Sequence, residues 1–336
     1  MTAVGARAVP GGSGSPQDSP ATIGVIGPGA MGLGIVASLV RGGFRVAARD
    51  VRAEANARAA GAGATVLDSP AAVARAAAIV VVIVVDDRQV DDVLFGADGI
   101  LAAGARDRIV LVASTVDPAY VRSLPERCAP HGVTILDTPV SGGPARAADG
   151  TMTMMVAGDP GARERCAGVF AAIAGRTFAI SGRVGDAAAT KIVNNLLAAT
   201  NLAAAAEALA LADALGLDVR ATADVISASS GASWIFDDRV PRALDGDYAP
   251  RAAARILAKD AGIACDAAGR LNADATFARA ARAAFVDTVD AGYGEDDDAA
   301  IIRRARERLG HSRQAEPRAG TLSVPARGRR RRNGRT

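Results

Sequence analysis

Residues 22–26, Thr-Ile-Gly-Val-Ile, run straight into Gly27-Pro-Gly29-Ala30-Met31-Gly32, and an amphipathic stretch opens behind the last glycine. Nothing else in the 336-residue chain narrows its fold as far. An apolar run that ends in a glycine turn and starts a helix is the first half of a βαβ unit. Gly27 permits the tight turn, Gly29 lets phosphates approach bare backbone, and Gly32 lets the helix lie close on the strand. At the helix start the N–H groups lack carbonyl partners and are available to an anion. In a chain with 37 glycines the pattern alone is weak, and its position between a strand and a helix supplies the weight. The spacing predicts a dinucleotide site on Gly27, Gly29, Ala30, Met31 and Gly32.

The alternation continues. Periodicity predicts helices over 30–40 and 52–60, and strands over 44–49, 64–67, 108–113 and 133–136. The β-branched run at 79–85 reads as a strand buried on both faces. Strands alternating with helices imply a Rossmann-type, doubly wound, mostly parallel sheet, the α/β class. Asp50 stands eighteen residues beyond Gly32, at the end of the second strand. An acid there bonds the adenosine ribose hydroxyls and repels a 2′-phosphate, which favours NAD; Arg49 and Arg52 beside it keep NADP possible.

After residue 183 the pattern changes. Residues 186–215 contain neither glycine nor proline, and their Ala and Leu content predicts one helix, roughly 45 Å long at 1.5 Å per residue. Further helices are expected over 219–229, 251–270 and 273–291. The expected division is therefore a disordered extension at 1–20, a dinucleotide-binding domain at 21–183, and an all-helical substrate and dimerisation domain at 184–302, joined by the long interdomain helix. A basic, mostly disordered tail is expected at 303–336. The chain is +3 overall, but 303–336 hold twelve Arg against two Glu, which leaves the rest at −7. Nucleic-acid binding is thus expected only nonspecifically, through that tail. A non-catalytic cofactor-binding scaffold with such a tail is the competing class.

Three scattered cysteines give no disulfide framework and point to a reducing compartment, the cytoplasm. The longest wholly apolar stretch, 76–85, has ten residues, too few to span a bilayer, and 1–20 do not read as a signal peptide. No His, Cys or carboxylate cluster has metal-ligand spacing, so no metal is expected. Trp234 is read as a core residue. Of 39 cationic residues, only Lys191 and Lys259 are lysines. A lysine retained where arginine is otherwise universal draws notice, because lysine can lose its proton when buried. Lys191 and Asn195 are four residues apart, so they share one face of the long helix near the domain junction. A neutral lysine there can accept the proton of an alcohol as hydride leaves carbon.

Two segments fall just past strand ends, where ligands bind in open α/β sheets: Ser114-Thr115, and Asp137-Thr-Pro-Val-Ser141-Gly142-Gly143. Together with Gly27–Gly32, Gly185-Asp-Ala-Ala-Ala-Thr-Lys191-Ile-Val-Asn-Asn195 and Lys259-Asp260, these ordered motifs resemble the β-hydroxyacid dehydrogenases over about 22–302. That family includes 3-hydroxyisobutyrate dehydrogenase and tartronate semialdehyde reductase. Within it, Val84-Val-Asp-Asp87, Val93-Leu-Phe-Gly96 and the segments 229–234 and 245–248 look most like the L-threonate dehydrogenase branch. The resemblance implies an NAD-dependent oxidation of a small anionic hydroxy acid. It implies that Ser141, Gly142 and Gly143 hold the substrate carboxylate, that Lys191 is catalytic, that Asn195 positions substrate, and that Thr115 and Lys259 line the site near the cofactor. Two positions depart from the family pattern: Ala187 stands where a second glycine is usual, and Thr138 where alanine is usual. Both bear on pocket shape. The long Ala-rich helix has more apolar surface than one small bundle covers, so a homodimer or homotetramer is expected.

Overall fold

The computed structural model describes residues 21–104 and 106–315. The first region alternates strands and helices: β1 (Thr22–Ile26), α1 (Ala30–Arg41), β2 (Arg45–Arg49), α2 (Ala53–Gly61), β3 (Thr65–Val66), α3 (Pro70–Ala76), β4 (Ile79–Val82), α4 (Asp87–Phe95), β5 (Arg108–Val112), α5 (Pro118–Cys128) and β6 (Val133–Asp137). It continues through β7 (Val140–Ser141), α6 (Gly143–Asp149), β8 (Met152–Ala157), α7 (Pro160–Arg165), α8 (Ala167–Ile173) and β9 (Ala174–Ser181). The sheet runs β3-β2-β1-β4-β5-β6-β8-β7, with β9 beside β8. Neighbours from β3 to β6 are parallel, whereas β8 meets β6 antiparallel at Asp137 and Ala157. Successive side chains on a strand serve opposite faces. Val81 and Leu111 belong to one apolar layer, and Val80, Val82, Val110 and Val112 to the other.

The expected strands are present, with two differences. The run 79–85 ends as a strand at Val82, because Val84 N is taken by the Ser114 hydroxyl at 2.8 Å and Asp86 caps α4. Strands β7, β8 and β9 were not foreseen: β9 is an edge strand, mostly exposed along its length, so it lacks the apolar run that marks a buried strand.

The second region is helical: α9 (Asp186–Ala214), α10 (Val219–Ser227), α11 (Trp234–Leu244), α12 (Ala254–Arg270), α13 (Thr276–Thr288) and α14 (Ala300–Ala315). Its core packs Leu202, Leu209, Phe236, Phe285, Ile301 and Ile302. Helix α14 crosses the boundary expected at 302, so residues 303–315 are helical rather than a disordered tail. Beyond Ile302 it is held by charge rather than apolar period: Arg304 on Asp287 at 2.9 Å and Arg306 on Asp213 at 3.1 Å. Disorder at 1–20 and the rest of the basic tail lie outside the described residues. Trp234 is exposed rather than core, since it starts α11 directly after the capping Ser233.

Two contacts position the site. The buried Asp137, at the end of β6, accepts from Gly185 N at 2.8 Å and Ala188 N at 2.9 Å, and so caps α9. Burial pushes this carboxyl up to about 6 against the pull of those N–H groups. Helix α6 lies on α1, where Gly34 leaves no room for a side chain (a Cβ would sit 2.6 Å from Ala148 N). Ser38 Oγ donates to Ala147 O and Arg41 Nη1 to Ala148 O, both at 2.7 Å, which satisfies carbonyls at the end of α6.

Candidate active site

The glycine turn is shaped as its spacing predicts. Gly27 has φ +89°, and a Cβ there would lie 2.4 Å from Ile83 O; one on Gly32 would lie 2.3 Å from Gly27 O. Both positions exclude any side chain. A Cβ on Gly29 would meet only Arg52 Nη2, at 3.2 Å, and Gly27 O, at 4.0 Å, so this glycine borders open space. Helix α1 begins here with Gly29 as a cap that offers no side-chain acceptor, followed by Ala30, Met31 and Gly32. A closed turn, one open glycine and unclaimed N–H groups fit a dinucleotide diphosphate. Asp50 lies buried at the end of β2, and the Arg52 guanidinium closes on it. Burial raises its pKa, but the hydrogen bonds and charge of Arg52 outweigh this and hold the carboxyl below its ordinary value.

Across the domain junction, α9 and α12 bring four side chains together. Lys191 is 7% exposed. Burial lowers its pKa to about 8; Asp260 pulls it back up, and Lys259 pushes it further down. Asn195 Nδ2 donates to Asp260 Oδ2 at 2.7 Å. Lys259 Nζ lies 2.8 Å from Asp260 Oδ1 and donates to Thr115 O at 2.6 Å. Lys191, Asn195, Lys259 and Thr115, named from sequence, therefore meet, although Thr115 contributes its carbonyl. Asp260, 3% exposed, is the hub that sequence reasoning missed. Its signal was the adjacency to Lys259, which reads equally well as a solvated pair. Beyond the ion contact, Asp260 Oδ1 has no hydrogen-bond partner.

Ser141, Gly142 and Gly143 form the turn between β7 and α6, with φ of +134° at Gly142 and +75° at Gly143. The turn makes no hydrogen bond to the lysine cluster among the described residues; it is tied instead, through α6, to the helix that the phosphate turn opens. Of the two departures, the Ala187 methyl is absorbed in a buried cluster with Met155 and Ala157. Thr138 is fully buried, and its hydroxyl has no partner. No group of three or more His, Cys, Asp or Glu among the described residues could hold a metal ion.

Residues 22–182 match the family model described as the NAD binding domain of 6-phosphogluconate dehydrogenase. Residues 185–305 match the one described as NAD-binding of NADP-dependent 3-hydroxyisobutyrate dehydrogenase. The chain is 43% identical to the L-threonate dehydrogenase of Cupriavidus necator over 281 residues, 84% of this chain and 95% of that protein. It is 30% identical to human mitochondrial 3-hydroxyisobutyrate dehydrogenase over 295 residues, 85% of this chain and 87% of that protein. The crystal structure of 3-hydroxyisobutyrate dehydrogenase from Salmonella typhimurium is similar at a TM-score of 0.78 and 35% identity, covering 84% of this chain and 99% of that one. With both halves matched in order, the chain belongs to the β-hydroxyacid dehydrogenase family and carries an NAD-binding first domain.

Proposed function

We propose that this chain oxidises the alcohol carbon of L-threonate, or of a closely related small hydroxy acid, with Lys191 as the general acid/base. One observation carries the reading: a lysine only 7% exposed, its pKa lowered by burial to about 8, on the same helix face as Asn195 and beside Asp260. An amine that burial brings this near neutrality can exchange a proton with a substrate hydroxyl. NAD, held at the glycine turn, supplies the hydride acceptor. In the oxidation direction neutral Lys191 Nζ takes the hydroxyl proton, and its ammonium returns that proton in reduction. Asn195, held by Asp260, orients the substrate oxygen without adding charge. Backbone N–H groups of the Ser141-Gly142-Gly143 turn receive the carboxylate, and the Lys259 ammonium adds attraction for an anion.

The 43% identity to an L-threonate dehydrogenase favours that acid over 3-hydroxyisobutyrate or glycerate. A panel of these acids with NAD, read at the nicotinamide absorbance, tests it: L-threonate should give the highest kcat/KM. Turnover of none of them removes the dehydrogenase reading.

The assembly we infer is a homodimer built on α9, of which a homotetramer would be a pairing. By length and composition α9 is apolar enough to cross a membrane, but one face is already committed to the core. Val193, Leu197, Leu211 and Leu215 remain exposed, at spacings that place them on one stripe. A second copy of the same helix covers such a stripe by two-fold symmetry. Sedimentation at micromolar concentration should give the dimer mass or a multiple; a monomer rejects the interface. The free cysteines Cys128, Cys166 and Cys265 support a cytoplasmic setting.

A further inference from the structure

The sheet is interrupted beside β6. Strand β8 meets β6 only at the pair Asp137 and Ala157, and Val140 and Ser141 of β7 pair with its earlier residues. Among the described residues no other strand lies along 133–136 on that side. On the opposite side β5 is in place: Arg108 N donates to Gly132 O, and Thr138 N donates to Val112 O. Successive residues of a strand turn their N–H and C=O groups to alternate sides. Val133 and Ile135 therefore turn theirs away from β5, where a further strand would find them. An open strand edge of this kind is a template for pairing with another chain.

A cavity of about 910 Å³ follows this edge, large enough for a ligand of several residues. Pro125 and Ala129 wall it on the α5 side and Pro160 on the α7 side, while Gly182, Arg183 and Val184, the link into α9, close the end nearest Asp137. Two guanidiniums stand at that end, Arg122 and Arg183, and one carboxylate, Asp186, serves both, at 3.5 Å and 3.1 Å. Arg122 is held in place, since a Cβ on Gly185 would lie 2.3 Å from its Cγ. The pair thus keeps an excess positive charge and spare N–H donors, on side chains that are 52% and 84% exposed. The cavity's own carboxylates are otherwise occupied. Asp107, at the far end, is paired with Arg165 at 2.9 Å, and Asp159 caps α7 through Ala162 N at 2.7 Å.

We propose that this cavity receives the carboxyl-terminal end of an extended peptide from a partner protein, added to the sheet as a strand beside β6. Main-chain bonds to Val133 and Ile135 supply the pairing, and Arg122 and Arg183 take the terminal carboxylate. That placement makes the peptide run parallel to β6. Its alternate side chains face the α5 and α7 walls, which suit small apolar residues. The site is separate from the lysine cluster, and its test needs no turnover. The probe is acetyl-Ala-Val-Ala-Val with a free carboxylate, titrated into the full chain by calorimetry. It should bind with a Kd below about 1 mM. The carboxamide form should bind about tenfold more weakly, having lost a charge-assisted pair, and a form N-methylated at alternate amides at least as weakly. Arg183→Ala, on an exposed side chain, should weaken the free acid by about fivefold. Gly182→Trp should abolish binding by filling the cavity, because a Cβ there meets nothing within 4 Å; thermal melts confirm that both variants fold. Amide exchange at Val133 and Ile135 should slow as the peptide saturates. No binding at millimolar peptide, a carboxamide that binds as well as the acid, or unchanged exchange at those two residues overturns the proposal.

Discussion

The two ends of the cleft are built on opposite principles. At the phosphate turn the working groups are backbone, and what the sequence must supply is the absence of side chains: Gly27 and Gly32 stand where any Cβ would strike a carbonyl. At the lysine end the working groups are side chains drawn from two helices distant in sequence, held by one buried carboxylate, Asp260. The first end works by steric fit and by backbone N–H groups that no titratable side chain governs. At the second, charge decides everything, because in a buried setting each ionic neighbour moves the others. A site of this kind should fail in two distinguishable ways.

The largest loss should come at the lysine. Lys191→Ala should lower kcat by about 10³-fold with dinucleotide affinity retained, and Lys191→Arg should do nearly as much harm, since arginine keeps its proton. Single-turnover kinetics beside a binding titration separate the two quantities, and near-normal kcat in either protein would move the proton transfer elsewhere. Next in size is Gly27→Ala. A left-handed φ and a carbonyl 2.4 Å away should cost about 2 kcal/mol of stability and at least about tenfold in dinucleotide affinity, read by thermal melts and calorimetry. No pH dependence should accompany it, in contrast to the lysine end.

The smallest effects sharpen the contrast most. Oxidation needs the neutral amine, so kcat/KM for the hydroxy acid should rise with pH and level off above about 8. Asp260 favours the charged amine and Lys259 disfavours it. Asp260→Asn should therefore carry the rise to lower pH, and Lys259→Met to higher pH, each by roughly one unit. Shifts in the same direction would show that these residues act on shape rather than on charge.

The features most legible in the sequence were local. β1 and the start of α1 were readable because an apolar run, a glycine turn and an amphipathic period follow one another without a break. The long helix was readable because nothing interrupts it. Strand β9 was not, since an exposed edge strand lacks the apolar signal, and the turn of α14 beyond Ile302 was hidden by arginines whose carboxylate partners, Asp287 and Asp213, lie far back along the chain. The same holds within the site. Lys191 and Asn195 share a helix face and could be paired by counting. Asp260 and Asp137 act 65 and 51 residues away from Asn195 and Ala188 respectively, and no spacing rule reaches that far.

Helix α9 belongs to both lobes of the molecule. Its first turn is fastened to the end of β6 by the Asp137 carboxylate, while Leu202 and Leu209 further along are sunk in the helical core. Lys191, in its second turn, is consequently referenced to the sheet by two routes: the Asp137 cap at the start of its own helix, and the contact by which Lys259 ties α12 to the Thr115 carbonyl in the loop after β5. A nitrogen anchored from both sides keeps one alignment toward whatever the sheet edge holds.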